Sequence, residues 1–387
     1  MSLRKETTIK LIRSTCVQAA ASAMFYSGAL NLLRRGQYRR VTADREGKAQ
    51  VYPFHVLLYH RVNPDNDPFF PATSVKLFDS QMRYLAANYR VVALADIIKG
   101  IRQGLGVAPG TIAVTFDDGY RDNYVYAHPI LRKYDLPATL FAATSYIGTD
   151  KLMWNDKLAM AMKLTTEQSI SLPGVARASS LTSVPEKLNV LEQIIEQLKT
   201  LPEPEKQDWV ERIVRRLSSK SMKVEPVMLS WPELRRLAHE GWEVGSHTTN
   251  HVILTRVPLA DAKEEISSSS AVIQQKLDRP VQLFAYPNGK SGDYDLSIQK
   301  FLADSGYIGA VTTDDRLNAQ DADLFAIGRT SPWQKFLPHF ALKLQWSYWR
   351  HNRSPSATQR DSESGIKPVT AAVNRPSTAS DRTTTSK

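Results

Sequence analysis

The stretch Thr115-Phe116-Asp117-Asp118-Gly119-Tyr120 closes an apolar run, Thr111-Ile112-Ala113-Val114, that reads as a short buried strand. Two carboxylates side by side at a strand's end repel each other, so one must protonate, pair with a cation or bind a metal. Gly119 lets the backbone turn sharply and a ligand approach closely. An isolated Asp-Asp-Gly is usually a solvated turn. Partners elsewhere in the chain weigh against that here.

The strongest partner is Gly245-Ser246-His247-Thr248-Thr249-Asn250-His251, which follows a second short strand candidate, Trp242-Glu243-Val244. His247 and His251 are four apart, so a helical turn would put both imidazoles on one face. Alone, such a pair is commonly a surface feature. With a strand-terminal Asp-Asp it makes a carboxylate and two imidazoles, with coordination left open for water. That is the pattern of a catalytic metal site, and zinc takes such ligands.

Thr-Phe-Asp-Asp-Gly-Tyr followed by Ser-His-Thr-x-x-His resembles the polysaccharide deacetylases, the NodB-homology carbohydrate esterases. The resemblance covers about residues 52–335, with a long insertion. It implies a distorted β/α barrel and metal-dependent removal of acetyl groups from N-acetylated sugars. It also implies that Asp117 is the base and that Asp118, His247 and His251 hold one divalent ion, zinc first, with cobalt or nickel as alternatives.

The apolar fraction of 42% over 387 residues suffices for a large core, in one large domain or two smaller ones. The single cysteine, Cys16, excludes an internal disulfide and reads as a packing residue. The net charge of +11 is concentrated at the ends: residues 1–40 carry +7 and 353–387 carry +3, leaving the body nearly neutral. That distribution argues against nucleic acid as a partner.

Residues 14–33 contain no charge and are flanked by Lys10, Arg13 and a cluster from Arg34 to Arg40. The run is barely long enough to span a bilayer and is interrupted by Gln18, Ser22, Ser27, Gly28 and Asn31. The expectation is a helix lying on an anionic membrane or on the barrel, with a weak spanning anchor as the alternative. The flanks do not fit a cleavable signal. The localisation expected is membrane-associated or cell envelope.

His60 falls where the strand Phe54-His55-Val56-Leu57-Leu58-Tyr59 should end. It reads either as a buried histidine satisfied by a carbonyl or as a general acid, for which imidazole is well tuned. Tyr59-His60-Arg61-Val62 resembles the Tyr-His-x-Val strand of the poly-N-acetylglucosamine deacetylases of the intercellular-adhesin type. The resemblance implies that this early histidine is the acid. No late Leu-x-His motif is present; His339 lies beyond the expected barrel.

Residues 63–73 read as a loop beside the site, and 77–88 as a helix. Residues 121–134 read as one helix behind the Asp-Asp turn. Trp154 reads either as an exposed platform for a pyranose or as a core plug. The insertion, 158–228, holds two amphipathic helix candidates and a loop over 171–183, and a peripheral helical cap is its expected role. Ser230-Trp231-Pro232-Glu233 reads as a capped helix start.

Further on, Leu254 resembles the hydrophobic residue that closes the family's acetate pocket. Tyr286-Pro287-Asn288-Gly289 resembles the motif whose backbone N–H, here at Asn288, helps hold the oxyanion; Tyr120 and Pro287 are counted with it as substrate-facing. The family's arginine is missing from this motif, because Ala285 stands in its place. Arg329, just past a late strand candidate at 324–328, is the substitute expected to orient Asp117.

Seven or eight short strands alternating with helices argue for an α/β barrel. The expected organisation is a basic, apolar helix over 1–50, a distorted (β/α)7-8 barrel over 51–352 with the insertion 158–228, and a disordered tail over 353–387. The expected function is N-deacetylation of an amino-sugar polymer or oligomer. The alternatives are a catalytically impaired carbohydrate-binding protein and a metal-dependent amidase on a non-sugar amide. The oligomeric state is left open.

Overall fold

The computed structural model describes residues 16–42, 51–171, 178–218, 227–319 and 321–353. The expected tail lies outside the described residues from 354 onward, as do 1–15 and 172–177 of the expected loop. The chain divides into two compact units, 1–348 and 349–387. Within the second, only the end of the helix Leu337–Arg353 is described.

Seven parallel strands form the central sheet: β1 (His55–Tyr59), β2 (Arg90–Val91), β3 (Thr111–Phe116), β4 (Thr139–Ala142), β5 (Glu243–Ser246), β6 (Leu283–Ala285) and β7 (Gly309–Val311). Their order is β1-β3-β4-β5-β6-β7, with β2 paired to the start of β3. Residues 324–330 close the ring by single bridges. Ile327 pairs with Val311 on one side, and Thr330 pairs with Leu57 on the other. The result is the expected distorted barrel, with helices around it. β1 and β3 are buried along their whole length, as strands of a parallel sheet covered on both faces must be.

Gly245 shows how tightly the ring is drawn. A Cβ there would stand 2.5 Å from the Phe141 ring and 2.8 Å from the Leu283 carbonyl oxygen. Only a residue without a side chain lets β4 and β6 flank β5 this closely.

Helix boundaries follow local chemistry. Ser230 and Glu233 form the expected capping box on Trp231–His239, and Ser183 with Glu186 forms another on Val184–Leu198. The single helix expected over 121–134 is instead a π-type turn, Asn123–Ala127, followed by His128–Lys133. Pro129 has no N–H to continue the ladder, so a new helix starts with it in the first turn.

The insertion has a core of its own. Leu158, Leu191, Ile194, Val210 and Ile213 bury against one another, together with Phe69 and Trp154 from the barrel's mouth. Residues Ser169–Ile170 and Ser179–Ser180 pair as a small antiparallel ribbon, the second of them within the stretch expected to be loop.

At the N-terminus, 16–26 and Ala29–Thr42 are helical. Leu30 is part of the barrel core, Phe25 lies 5.6 Å from the Tyr84 ring, and Arg34 donates to Asn88 at 2.7 Å. The segment therefore packs on the barrel, one of the two surfaces expected for it. Among the described residues no helix is long and apolar enough to cross a membrane. Cys16 is exposed rather than packed.

Gly245→Ala is expected to lower stability by about 1–3 kcal/mol, because the clash falls on backbone as well as on a ring. Urea unfolding of the full chain measures it.

Candidate active site at the barrel mouth

His60, Asp117, Asp118, His247, Asn288 and Arg329 all follow C-terminal ends of the sheet's strands or lie in the closing stretch. They meet at the face where barrels build their sites. A cavity of about 440 Å3 opens there, lined by His60, Asp117, Asp118, His247, His251 and Asn288 among others.

Asp117 is 1% exposed and Arg329 is fully buried. The guanidinium meets the carboxylate with two parallel bonds, Nη1 to Oδ1 at 2.7 Å and Nη2 to Oδ2 at 2.6 Å. Arg329 Nε donates to the Thr312 carbonyl at 2.7 Å, and Nη1 also reaches Thr115 Oγ1 at 3.2 Å. Arg329 thus brings a guanidinium to Asp117 from the closing stretch, where Ala285 at the end of β6 offers none. Burial alone would push the Asp117 carboxyl up, but Arg329 and His247 outweigh it and hold it below the usual carboxylate range.

Two tight turns aim the neighbouring groups. Gly119 N–H donates to the Asp117 carbonyl at 2.9 Å, with Asp118 between them at φ 76°. Gly289 N–H donates to the Pro287 carbonyl at 2.7 Å, with Asn288 between them at φ 59°. Each is a three-residue turn centred on a left-handed, non-glycine residue, a conformation that costs on the order of 1–3 kcal/mol. Asp and Asn tolerate it best, and the glycine that follows each leaves room for the turn. The Asn288 carbonyl accepts from Thr313 Oγ1, while its N–H has no acceptor among the described residues.

Asp118 Oδ1 lies 3.3 Å from His251 Nε2 and 3.5 Å from His247 Nε2, with the three ligand atoms within 4.8 Å of one another. Oδ1 is buried and makes no hydrogen bond. These separations match a metal better than hydrogen bonds. A tetrahedral site with bonds of about 2.0–2.2 Å has edges of about 3.3–3.6 Å. His247 Nδ1 faces the Ala285 carbonyl at 2.7 Å, which requires the proton on Nδ1 and leaves the Nε2 lone pair for an ion. The Asp118 carboxyl would rise on burial, but the two histidines hold it well below its ordinary value. Burial lowers His251. Burial also works against charge on His247, but Asp117 and Asp118 raise it overall.

The two histidines do not sit on a helical turn, as their spacing suggested. Residues 247–251 form a loop, with Thr248 and His251 in left-handed conformation. Glu265 holds it open by accepting from the Thr249 and Asn250 N–H groups at 2.9 and 2.8 Å.

The substrate-facing residues are placed unevenly. Trp154 is 5% exposed and packs into the insertion's core beneath the Lys206 ammonium, 4.9 Å from its ring, and it also lines the cavity; it is a buried part of the cavity wall rather than an exposed platform. Leu254 is in the barrel core, and its neighbour Ile253 lines the cavity instead. Tyr120 lines an adjoining chamber, but its hydroxyl is committed to Asp156 at 2.9 Å. Pro287 shapes the Asn288 turn. The exposed aromatic at the mouth is Trp333, 54% exposed and stacked 6.4 Å from the His60 ring. A tryptophan four residues past Arg329 was its one signal in the sequence. Nor is the insertion peripheral, because Ile195 and Lys199 line the cavity.

A parallel barrel with two carboxylates and three histidines converging on its C-terminal mouth, three of them placed where they could hold a metal, is the architecture of a barrel hydrolase. The polysaccharide deacetylase family model matches residues 106–307, more than half of the chain, and the chain belongs to that family. It is 21% identical over 275 residues to the YxkH protein of Bacillus subtilis (strain 168), covering 71% of this chain and 69% of that one. It is 27% identical over 150 residues to the poly-beta-1,6-N-acetyl-D-glucosamine N-deacetylase of Escherichia coli (strain K12), a match over 36% of this chain and only 22% of that enzyme. Among solved structures, the Streptococcus pyogenes deacetylase PplD in complex with acetate superposes with a TM-score of 0.51 at 17% identity, over 76% of this chain and 98% of that one. IcaB from Ammonifex degensii superposes at 0.50 and 19%, over 78% and 99%. These two likenesses establish the shared fold.

Removing Arg329 leaves a buried carboxylate unpaired, so Arg329→Ala is expected to cost about 3–5 kcal/mol of stability, read from urea unfolding at pH 7. A second expectation concerns Asp156, whose carboxyl is pushed up from 3.8 to about 6, first by burial and then by the Asp118 and Asp122 charges. A folded value above the unfolded one gives stability that is complete below about 3.8 and is lost as pH rises through about 6. Asp156→Asn should therefore flatten the stability–pH curve across that window.

Proposed function

We propose that this polysaccharide deacetylase hydrolyses the N-acetyl amide of amino sugars in a polymer or oligomer, with Asp117 as base and His60 as acid. The single observation that carries the roles is the buried Asp117–Arg329 pair placed beside the Asp118–His247–His251 cluster in one cavity.

Asp118, His247 and His251 would hold one divalent ion, and the mixed oxygen and nitrogen donor set suits zinc, with cobalt and nickel close behind. Such an ion supplies Lewis acidity, polarising the amide carbonyl and acidifying the attacking water. Asp117 accepts the proton of that water. Arg329 keeps the carboxylate ionised and fixes its plane, and each oxygen retains a further lone pair for the incoming proton. The Asn288 N–H, without an acceptor among the described residues, donates to the oxygen that becomes negative as the carbonyl carbon turns tetrahedral. His60 delivers a proton to the nitrogen, without which the amine does not depart. Trp333, stacked on His60, offers its face to the sugar ring. The products are acetate and a free amino sugar.

The N-terminal helices suit an anionic membrane surface. Tyr26 and Leu32 are 79% and 70% exposed, beside an exposed Arg35. This supports a membrane-associated or envelope location.

Acetate release from N-acetylglucosamine oligomers tests the reading. Chelation should abolish it and added zinc, cobalt or nickel restore it. Asp117→Asn and His60→Ala should each lower kcat about 10²–10⁴-fold while metal content is unchanged. Stoichiometric metal with no release from any N-acetylated sugar would overturn it.

A further inference from the structure

A second chamber, of about 630 Å3, adjoins the metal cavity. The two share His60, Asp118, Asn155, Ile195, Lys199 and Trp333, whereas Asp117, His247, His251 and Asn288 line the metal cavity alone. The proton donor must stand on the amine side of the scissile bond. A chamber that reaches His60 but neither Asp117 nor Asn288 therefore takes what is attached to the leaving amine rather than the acyl group.

The greater part of this chamber's wall is apolar, with Asn155, Glu192 and Lys199 as polar groups set into it. Phe69 and Phe70 come from the loop after β1, and Leu188, Leu191 and Ile195 come from one face of the insertion helix Val184–Leu198. Several of the polar groups along the wall are already occupied. The Tyr120 hydroxyl donates to Asp156, and Arg61 is bonded to Asp122 at 2.8 Å with its guanidinium 4.7 Å from the Tyr120 ring. A second pyranose would bury hydroxyls against aliphatic side chains, at a cost for each one left unpaired. A hydrocarbon chain would gain by the same contact. The insertion is held over this space from three directions. Lys163 pairs with Asp67 at 2.5 Å, Lys290 faces Glu196 at 3.8 Å, and the buried Lys206 sits on Trp154.

From this we infer that the amino sugar this enzyme deacetylates carries an apolar chain, of alkyl or prenyl type, and that the insertion builds the chamber that receives it. The inference rests on the deacetylase reading above and narrows its substrate to an amphipathic glycan.

Methyl and octyl β-N-acetylglucosaminides, below micellar concentration, provide the test. KM is measured on the zinc-restored full chain, and Kd by calorimetry on its Asp117→Asn variant. Both constants should fall about fourfold per methylene buried until the chamber is full, with kcat little changed. Leu188 is only partly buried, so Leu188→Asn and the space-filling Leu188→Trp should fold. In both, the octyl-to-methyl ratio should collapse towards one. Equal constants for the two glycosides in the native chain would overturn the inference. So would a gain on lengthening the sugar chain with none on lengthening the alkyl chain. If no glycoside releases acetate yet Kd still falls with chain length and Leu188→Trp abolishes that fall, the apolar chamber stands and the deacetylase reading fails.

Discussion

The paired charges of Asp117 and Arg329 are the constraint around which the barrel mouth is arranged. Neither could be buried alone, since an ionised carboxylate without a partner would take up a proton and an unpaired guanidinium has no means of neutralising itself. Each makes the other possible. The arginine also stands in the stretch that closes the ring, between Ile327, bridged to β7, and Thr330, bridged to β1. Closing the barrel and orienting the Asp117 carboxylate are thus one structural event, and the two parallel hydrogen bonds fix the carboxylate's plane as well as its charge.

Around that pair the site separates groups that would otherwise titrate together. Asp117 and Asp118 are adjacent in sequence, and both are held below the ordinary carboxylate range, but by different partners: an arginine for the first, two imidazoles for the second. The left-handed turn at Asp118 makes this possible by sending consecutive side chains to different neighbours. A regular strand end would have done the same only by sending one of them into the core. The matching turn at Asn288, which lines the same cavity, leaves a backbone N–H without an acceptor among the described residues, so the two strained positions belong to a common site.

Local signals were legible wherever the chemistry is local. The strand before Asp117, the capping box at Ser230 and the residue types of the candidate metal site could all be read from neighbouring positions. Errors arose where distant packing decides. Trp154 could be a platform or a plug on sequence grounds, and the insertion's core buried it while leaving it in the cavity wall. Leu254 and Ile253 are adjacent apolar residues, and only the turn of backbone after His251 determines which one faces the cavity. The spacing of His247 and His251 suggested a helix, whereas Glu265, from a later helix, holds them in a loop. The insertion read as peripheral because its amphipathic pattern tells which face is buried but not against what.

By itself the sequence determined the class of fold, the residue types of the site and the family, because strand periodicity, turn chemistry and the two metal-ligand motifs are each written within a few residues. The tertiary structure decided that Arg329, 212 positions from Asp117, supplies the missing guanidinium. It also decided that Trp333 stands beside His60 and that the insertion walls the cleft. The physical reason is the same in each case. These are contacts between side chains far apart along the chain, and their partners are chosen by how the closed barrel brings strand ends together, which no local pattern of residues encodes.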